Sequence, residues 1–182
     1  MTTVRRVLPD EYYKYRKHLK SLDPHSKYLR FGYQIQDEMI DSLCNKFESE
    51  LDKNILFCIE NDELEFIAVG HIALQEEMEL AFSVLPEYQG KGLGNQLFKR
   101  VIQWCRANSK LKGCMVCLST NSVVKHLCLK YGIRLKNDGP ETMASIELTR
   151  PNLGTFITEA ADSNLAIADY LGKRLIRGLR YK

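Results

Sequence analysis

The 182-residue sequence contains no apolar run approaching the ~20 residues that a membrane-spanning helix needs. Its N-terminus, MTTVRRVLPDE, has no apolar core behind the two arginines, which excludes a signal peptide in that stretch. It has no internal repeat and no low-complexity linker. Nor does it have the apolar-poor composition of a disordered chain: 45% hydrophobic and 27% charged residues suit one soluble domain with a real core. These absences point to a cytoplasmic protein.

Metal-ligating patterns are also missing. Of the six cysteines (Cys44, Cys58, Cys105, Cys114, Cys117, Cys128), Cys114 and Cys117 form a C-x-x-C, but no second pair or nearby histidine completes a zinc site. CMVCLS reads as a strand, which turns these two to opposite faces. Reduced, mostly buried cysteines and no metal are expected. The net charge of +3 is uneven: Lys173, Arg174, Arg177, Arg180 and Lys182 supply five positives with no acid among residues 173–182, leaving −2 for the remainder. A globally basic footprint is absent, so neither a nucleic acid nor a membrane is expected as partner.

What is present is an alternation of strand and helix patterns. TVRRVL (3–8) suits a strand, and Pro9 and Asp10 open a helix through about Leu22. HSKYLRF follows the Asp23-Pro24 break as a short turn or helix. Asp37 can cap a helix in which Ile40, Leu43, Cys44, Phe47 and Leu51 keep helical spacing. ILFCIE (55–60), the turn Asn61-Asp62 and ELEFIAVGHIAL (63–74) read as a hairpin, with EMELAFSV (77–84) as the next strand. Residues 92–108 are helical, with Leu93, Leu97, Val101 and Cys105 inward and Lys99, Arg100 and Arg106 in water. A strand at 114–119, a helix at 122–132 and two strands around the NDGP turn finish the sheet. Residues 156–179 form one more helix, with Leu165, Ala168, Leu171, Leu175 and Leu179 apolar. Residues 1–150 thus make one domain, and 151–182 a helical extension packing on that domain or on a dimer partner.

Between strand 77–84 and helix 92–108 lies LPEYQGKGLGN (85–95), with glycines at 90, 92 and 94. Bare backbone before a helix suits an anion, because first-turn amides lack partners and the helix dipole favours negative charge. A P-loop is excluded, since Lys91 is followed by Gly92 rather than Ser or Thr. The G-x-G-x-x-G dinucleotide fingerprint is excluded too, since Leu97 stands where its third glycine belongs. A glycine-rich turn needed only for close packing is the alternative.

The string VLPEYQGKGLG resembles motif A of the GNAT superfamily of acetyl-CoA-dependent N-acetyltransferases, through Val84, Pro86, Gln89, Gly90, Gly92 and Gly94. STNSVVKHLCLKYGI (119–133) is similar to motif B, with Asn121 opening a helix that ends at Gly132. SLDPHSKYLRF (21–31) is similar to a segment of bacterial protein lysine acetyltransferases. The resemblance spans about residues 3–149. It implies an α/β (α+β) GNAT fold: a central mixed, mostly antiparallel sheet flanked by helices, here with an extra C-terminal helix. It implies acetyl-CoA as acyl donor, with its pyrophosphate on the amides of Gln89, Gly90, Lys91, Gly92, Leu93, Gly94 and Asn95. It also implies that the pantetheine arm lies along Phe82, Ser83 and Val84, with Asn121 beside it, in a gap between splayed strands.

The resemblance further implies Glu79 as the general base; on a strand it shares a face with Ala81 and Ser83, opposite Leu80, Phe82 and Val84. Where many relatives place a tyrosine acid, this chain has Cys128, a weak donor. Tyr131, three residues on, lies on roughly the same helix face as a substitute. His71 and His126 read as structural. The acceptor is expected to be a primary amine, a protein lysine ahead of a small amine such as a polyamine or aminoglycoside; a non-catalytic acetyl-CoA sensor is the reading from another class. Glu63, Glu65, Glu76 and Glu77 could attract a cationic acceptor. A homodimer is an open alternative for the C-terminal helix.

Overall fold

The computed structural model describes residues 3–180. Its strands are β1 (Arg5–Arg6), β2 (Asn54–Glu60), β3 (Phe66–Leu74), β4 (Met78–Val84), β5 (Lys112–Leu118), β6 (Arg134–Asp138) and β7 (Glu141–Glu147). Its helices are α1 (Tyr12–Lys20), α2 (Pro24–Phe31), α3 (Asp37–Ser49), α4 (Leu93–Ala107), α5 (Ser122–Lys130) and α6 (Leu153–Arg180). The strands form one sheet in the order β1-β2-β3-β4-β5-β7-β6. Every neighbouring pair is antiparallel except β4–β5, which is parallel.

Two hydrophobic layers cover the faces. Leu80, Phe82 and Val84 of β4 turn toward α4, where Leu97, Phe98, Val101 and Cys105 close one core with Phe57, Ile72 and Met115. On the opposite face, Tyr15 and Leu19 of α1 and Ile40 and Cys44 of α3 pack on Leu56, Cys58 and Val69. The amphipathic spacing of α4 explains why it docks, since each fully buried aliphatic side chain contributes roughly 1.5–3 kcal/mol.

Local chemistry sets several boundaries. The stretch after the Asp23-Pro24 break is helical because Pro24 starts the helix, Asp23 accepts from the Ser26 amide at 3.0 Å, and Gly32 ends it at φ +80°. Asp37 begins α3 but does not cap it; Gln36 occupies the cap position. The β2–β3 turn is longer than Asn61-Asp62, because the Asn61 side chain accepts from the amides of Glu63 and Glu65 and holds Leu64 at φ +58°.

One expectation about side-chain burial is corrected. Arg100 is not in water: it is buried and makes a bidentate pair with Glu159 of α6 at 2.6 and 2.8 Å. The apolar stripe of α6 does not face its own domain; Leu165, Leu171, Leu175 and Leu179 are exposed. The helix docks instead through its polar side. Gln103 donates to the Thr155 carbonyl at 2.7 Å, Thr3 to Asp169 at 2.6 Å, and Arg5 lies 4.1 Å from the Tyr170 ring centre.

Candidate active site

The parallel junction of β4 and β5 is short. Met78 pairs with Gly113 and Glu79 with Cys114, and there the pairing stops. Residues 80–84 remain bonded to β3 on one side, and residues 115–118 to β7 on the other, so a wedge opens between them. Gly113 fixes the contact point: a Cβ there would collide with the backbone carbonyl of Met78. Gly70, opposite Phe82 in register, makes a comparable allowance, since a Cβ would press on the Phe82 ring at 3.0 Å. Neither glycine belongs to a motif, although a glycine inside FIAVGHIAL is a signal of close approach.

The glycine loop lies at the open end of the wedge. Gly90 and Gly92 adopt φ +72° and +78°, which accounts for glycine at those two positions. Gly94 has no such conformational need, and a Cβ on it would meet nothing within 4 Å. Internal packing therefore does not explain its bareness. The start of α4 has no side-chain cap and no acid in its first turn. Its first ladder bond runs from the Gln96 amide to the Gly92 carbonyl at 3.2 Å, so the amides of Leu93, Gly94 and Asn95 precede the helical ladder. Gln89 ties the loop down by donating to the Val84 carbonyl and to Ser26 of α2, both at 3.1 Å. Lys91 lies 4.9 Å from the Tyr88 ring centre.

Glu79 is exposed on the last paired rung, at the closed end of the wedge. The Phe82 side chain packs on Phe98 at 5.4 Å between ring centres, and Phe98 in turn on Tyr131 at 4.8 Å. The Tyr131 hydroxyl donates to Asn95 Oδ1 at 3.1 Å, which also accepts from Lys130 at 2.8 Å. Burial raises the Tyr131 phenol above its ordinary value. Cys128 is fully buried in the α4-side core, and burial pushes its thiol up to about 11. Asn121 is buried as the cap of α5 and accepts from the Val124 amide at 3.2 Å.

Ser83 points to the α1 side, where its hydroxyl sits 2.8 Å from His18 Nε2. His18 Nδ1 lies 2.8 Å from the Phe66 carbonyl oxygen, an acceptor only, so Nδ1 carries the proton and Nε2 receives the serine hydroxyl. This link between α1 and β4 joins residues 65 apart and left no mark in the sequence. His71 is buried 4.6 Å from the Phe47 ring, with Nε2 3.0 Å from Asn54 Oδ1, whereas His126 is exposed on α5. Among the described residues no group of three or more His, Cys, Asp or Glu is placed to hold a metal ion. No described helix is long and apolar enough to cross a membrane.

A mostly antiparallel sheet, split at its one parallel junction and followed by a glycine loop and helix, defines an N-acyltransferase architecture. The chain belongs to the acetyltransferase (GNAT) family, which its residues 16–132 match. It is therefore an acyltransferase by family. Solved structures agree on the fold. The GNAT domain of S. lividans PAT superposes with TM-score 0.67 at 18% identity, covering 81% of this chain and 90% of that one. The PaiA N-acetyltransferase of Thermoplasma acidophilum, in complex with coenzyme A, gives TM-score 0.60 at 14% identity over 81% and 99%. YncA of Salmonella typhimurium, a putative acetyltransferase with acetyl-CoA, gives 0.59 at 15% over 84% and 99%. No curated protein matches the sequence.

Proposed function

We propose that this chain moves the acetyl group of acetyl-CoA to a primary amine, with a protein lysine as acceptor and Glu79 as general base. The observation that carries the donor assignment is Gly94. Neither its conformation nor any neighbour requires glycine, yet it lies bare at an uncapped, acid-free helix start. An anionic pyrophosphate approaching the amides of residues 89–95 gives that bareness a reason. The unpaired edge of β4, Phe82 to Val84, suits the amides of pantetheine, with Asn121 on the facing side.

The choice of Glu79 rests on its place. It is exposed, on the face away from the α4 core, on the rung where the strands part. From there it can take the proton of an amine attacking the thioester carbonyl. The carbon–sulfur bond then breaks, and the departing thiolate is protonated by Tyr131 or by water. Tyr131 suits the donor role better than Cys128, which is sealed in the core. The lysine acceptor is supported by the segment at 21–31 and by exposed Glu76 and Glu77 beside Glu79, which favour a cationic amine.

Free-thiol release from acetyl-CoA, measured against a panel of lysine-bearing proteins and small amines, tests the assignment. Release with lysine proteins is expected. Glu79→Gln should keep acetyl-CoA affinity and lose roughly 10²–10⁴-fold in turnover at neutral pH, with recovery at high pH. Release with small amines alone would move the acceptor to that class. Binding of acetyl-CoA without any release would make the protein a sensor, and an unchanged rate in Glu79→Gln would remove that residue from the mechanism.

A further inference from the structure

α6 is built inside out relative to an ordinary surface helix. Thr155, Glu159, Ala166 and Lys173 face the domain, while nine large aliphatic or aromatic side chains of the same helix are 49–76% exposed. At 3.6 residues per turn Leu153, Ile157, Leu171, Leu175 and Leu179 occupy the opposite side, and Phe156, Leu165, Ile167 and Ile176 flank it. The middle of that outward arc bears no charge; Arg174 is exposed at its edge near the C-terminal end. A continuous apolar surface of this kind marks an interface.

Along the arc, Ile157, Ala161, Asn164, Ala168, Leu171 and Leu175 follow at alternating spacings of four and three. That is the seam of a two-helix coiled coil, with one polar asparagine of the sort that fixes register. We infer that this seam pairs with the same seam of a second copy of the chain, antiparallel, across a twofold axis. Laid against its own reverse, the seam brings Ile157 opposite Leu175, Ala161 opposite Leu171 and Asn164 opposite Ala168. Each small residue then faces a larger one or the asparagine. A parallel pairing sets Ala161 on Ala161 and Ala168 on Ala168, which leaves gaps. The antiparallel pairing also opposes the helix dipoles favourably.

The size also fits. The five outward large side chains, exposing on the order of 100 Å² each, and the smaller seam residues between them give roughly 700 Å² per copy, against the ~800 Å² per partner of a standard interface. A bilayer fits less well. A helix lying on an anionic membrane carries Lys and Arg along its polar side, and here that side is spent on the chain's own domain.

Sedimentation velocity on the full chain should give the mass of a dimer. Leu171→Asp should give a monomer with unchanged helical circular dichroism and unchanged acetyl-CoA affinity, since the residue is remote from the glycine loop in sequence and exposed. A monomeric wild type, or a dimer that survives Leu171→Asp, would overturn the pairing. Orientation is read from cross-linking, with five of the six native cysteines buried and Cys114 partly so. Ile157→Cys combined with Leu175→Cys should oxidise to a covalent dimer, and Ile157→Cys alone should not. Efficient cross-linking of Ile157→Cys alone would establish the parallel arrangement instead. Flotation of a monomeric wild type with phosphatidylserine vesicles would assign the face to a membrane.

Discussion

At the residue scale, a glycine is informative when nothing inside the protein requires it. Gly92 is a poor place to test the loop, because its φ of +78° strains any replacement. Gly94 is a clean one. Aspartate there meets open space and sits in the first turn of α4, where an acid adds about 0.3–1 kcal/mol through the dipole. Gly94→Asp should therefore melt at or above the wild-type temperature while acetyl-CoA affinity drops more than about tenfold, a like charge having been placed where an anion binds. Calorimetric titration with unchanged affinity would end the anion-loop reading. The question of the acid is equally local. Cys128→Ala should cost less than about tenfold in turnover, below the range of a general acid. Tyr131→Phe keeps the ring on Phe98 and removes the hydroxyl from Asn95, so it should cost more. A large loss in Cys128→Ala, with affinity and melting temperature intact, would make the thiol catalytic.

At the element scale, the wedge depends on one close approach. Gly113→Ala must push β5 away from the Met78 carbonyl or force the chain to shift, an overpacking of about 1–3 kcal/mol. The expected result is a lower melting temperature together with weaker acetyl-CoA binding, because the rung that sets the mouth of the wedge moves. A variant that melts lower but binds as before would show that the wedge does not depend on this contact. Such contacts were not legible in the sequence. Strand and helix periodicity placed β2 to β7 and α3 to α6 well, because each element buries one face and alternation or the helical repeat records that face. The motif fixed the loop between β4 and α4. Long-range pairing left no such record. Nothing local announces that Ser83 meets His18, or that Arg100 finds Glu159 and so becomes a buried residue on the face that reads as wet. The side of α6 that docks was hidden for the same reason: its polar residues are consumed by partners on β1, α4 and the N-terminal segment, and only those partners reveal it.

At the scale of the whole molecule, buried ionisable groups set how stability follows pH. Burial, with the nearby Arg30 charge, holds His18 down to about 4 and His71 down to about 3. Below pH ~6.5 the unfolded chain therefore binds more protons than the folded one. Stability is full above that pH and declines until the folded values are reached, each histidine accounting for a loss on the order of 3–5 kcal/mol. Glu11 extends the trend. Burial opposes its charge, but hydrogen bonds from Arg5 and Lys14 prevail and hold it below the ordinary carboxylate value, so its contribution fades under about pH 4.5. Melting temperature should fall steadily from pH 6.5 to 4, and His18→Gln should flatten that slope even as it weakens the fold at pH 7. Parallel slopes for the two proteins would show that His18 is not the titrating group.

Two rungs hold the sheet together across its middle, so it consists of a four-stranded plate and a three-stranded plate resting on one shared core. Every second amide along the free flank of β4 has an edge-like environment in the centre of the domain. In deuterated water those amides should exchange as fast as those of an outer strand while their neighbours bonded to β3 stay protected. A ligand that bridges the gap would then silence both flanks at once and join two separately breathing plates into a single cooperative unit.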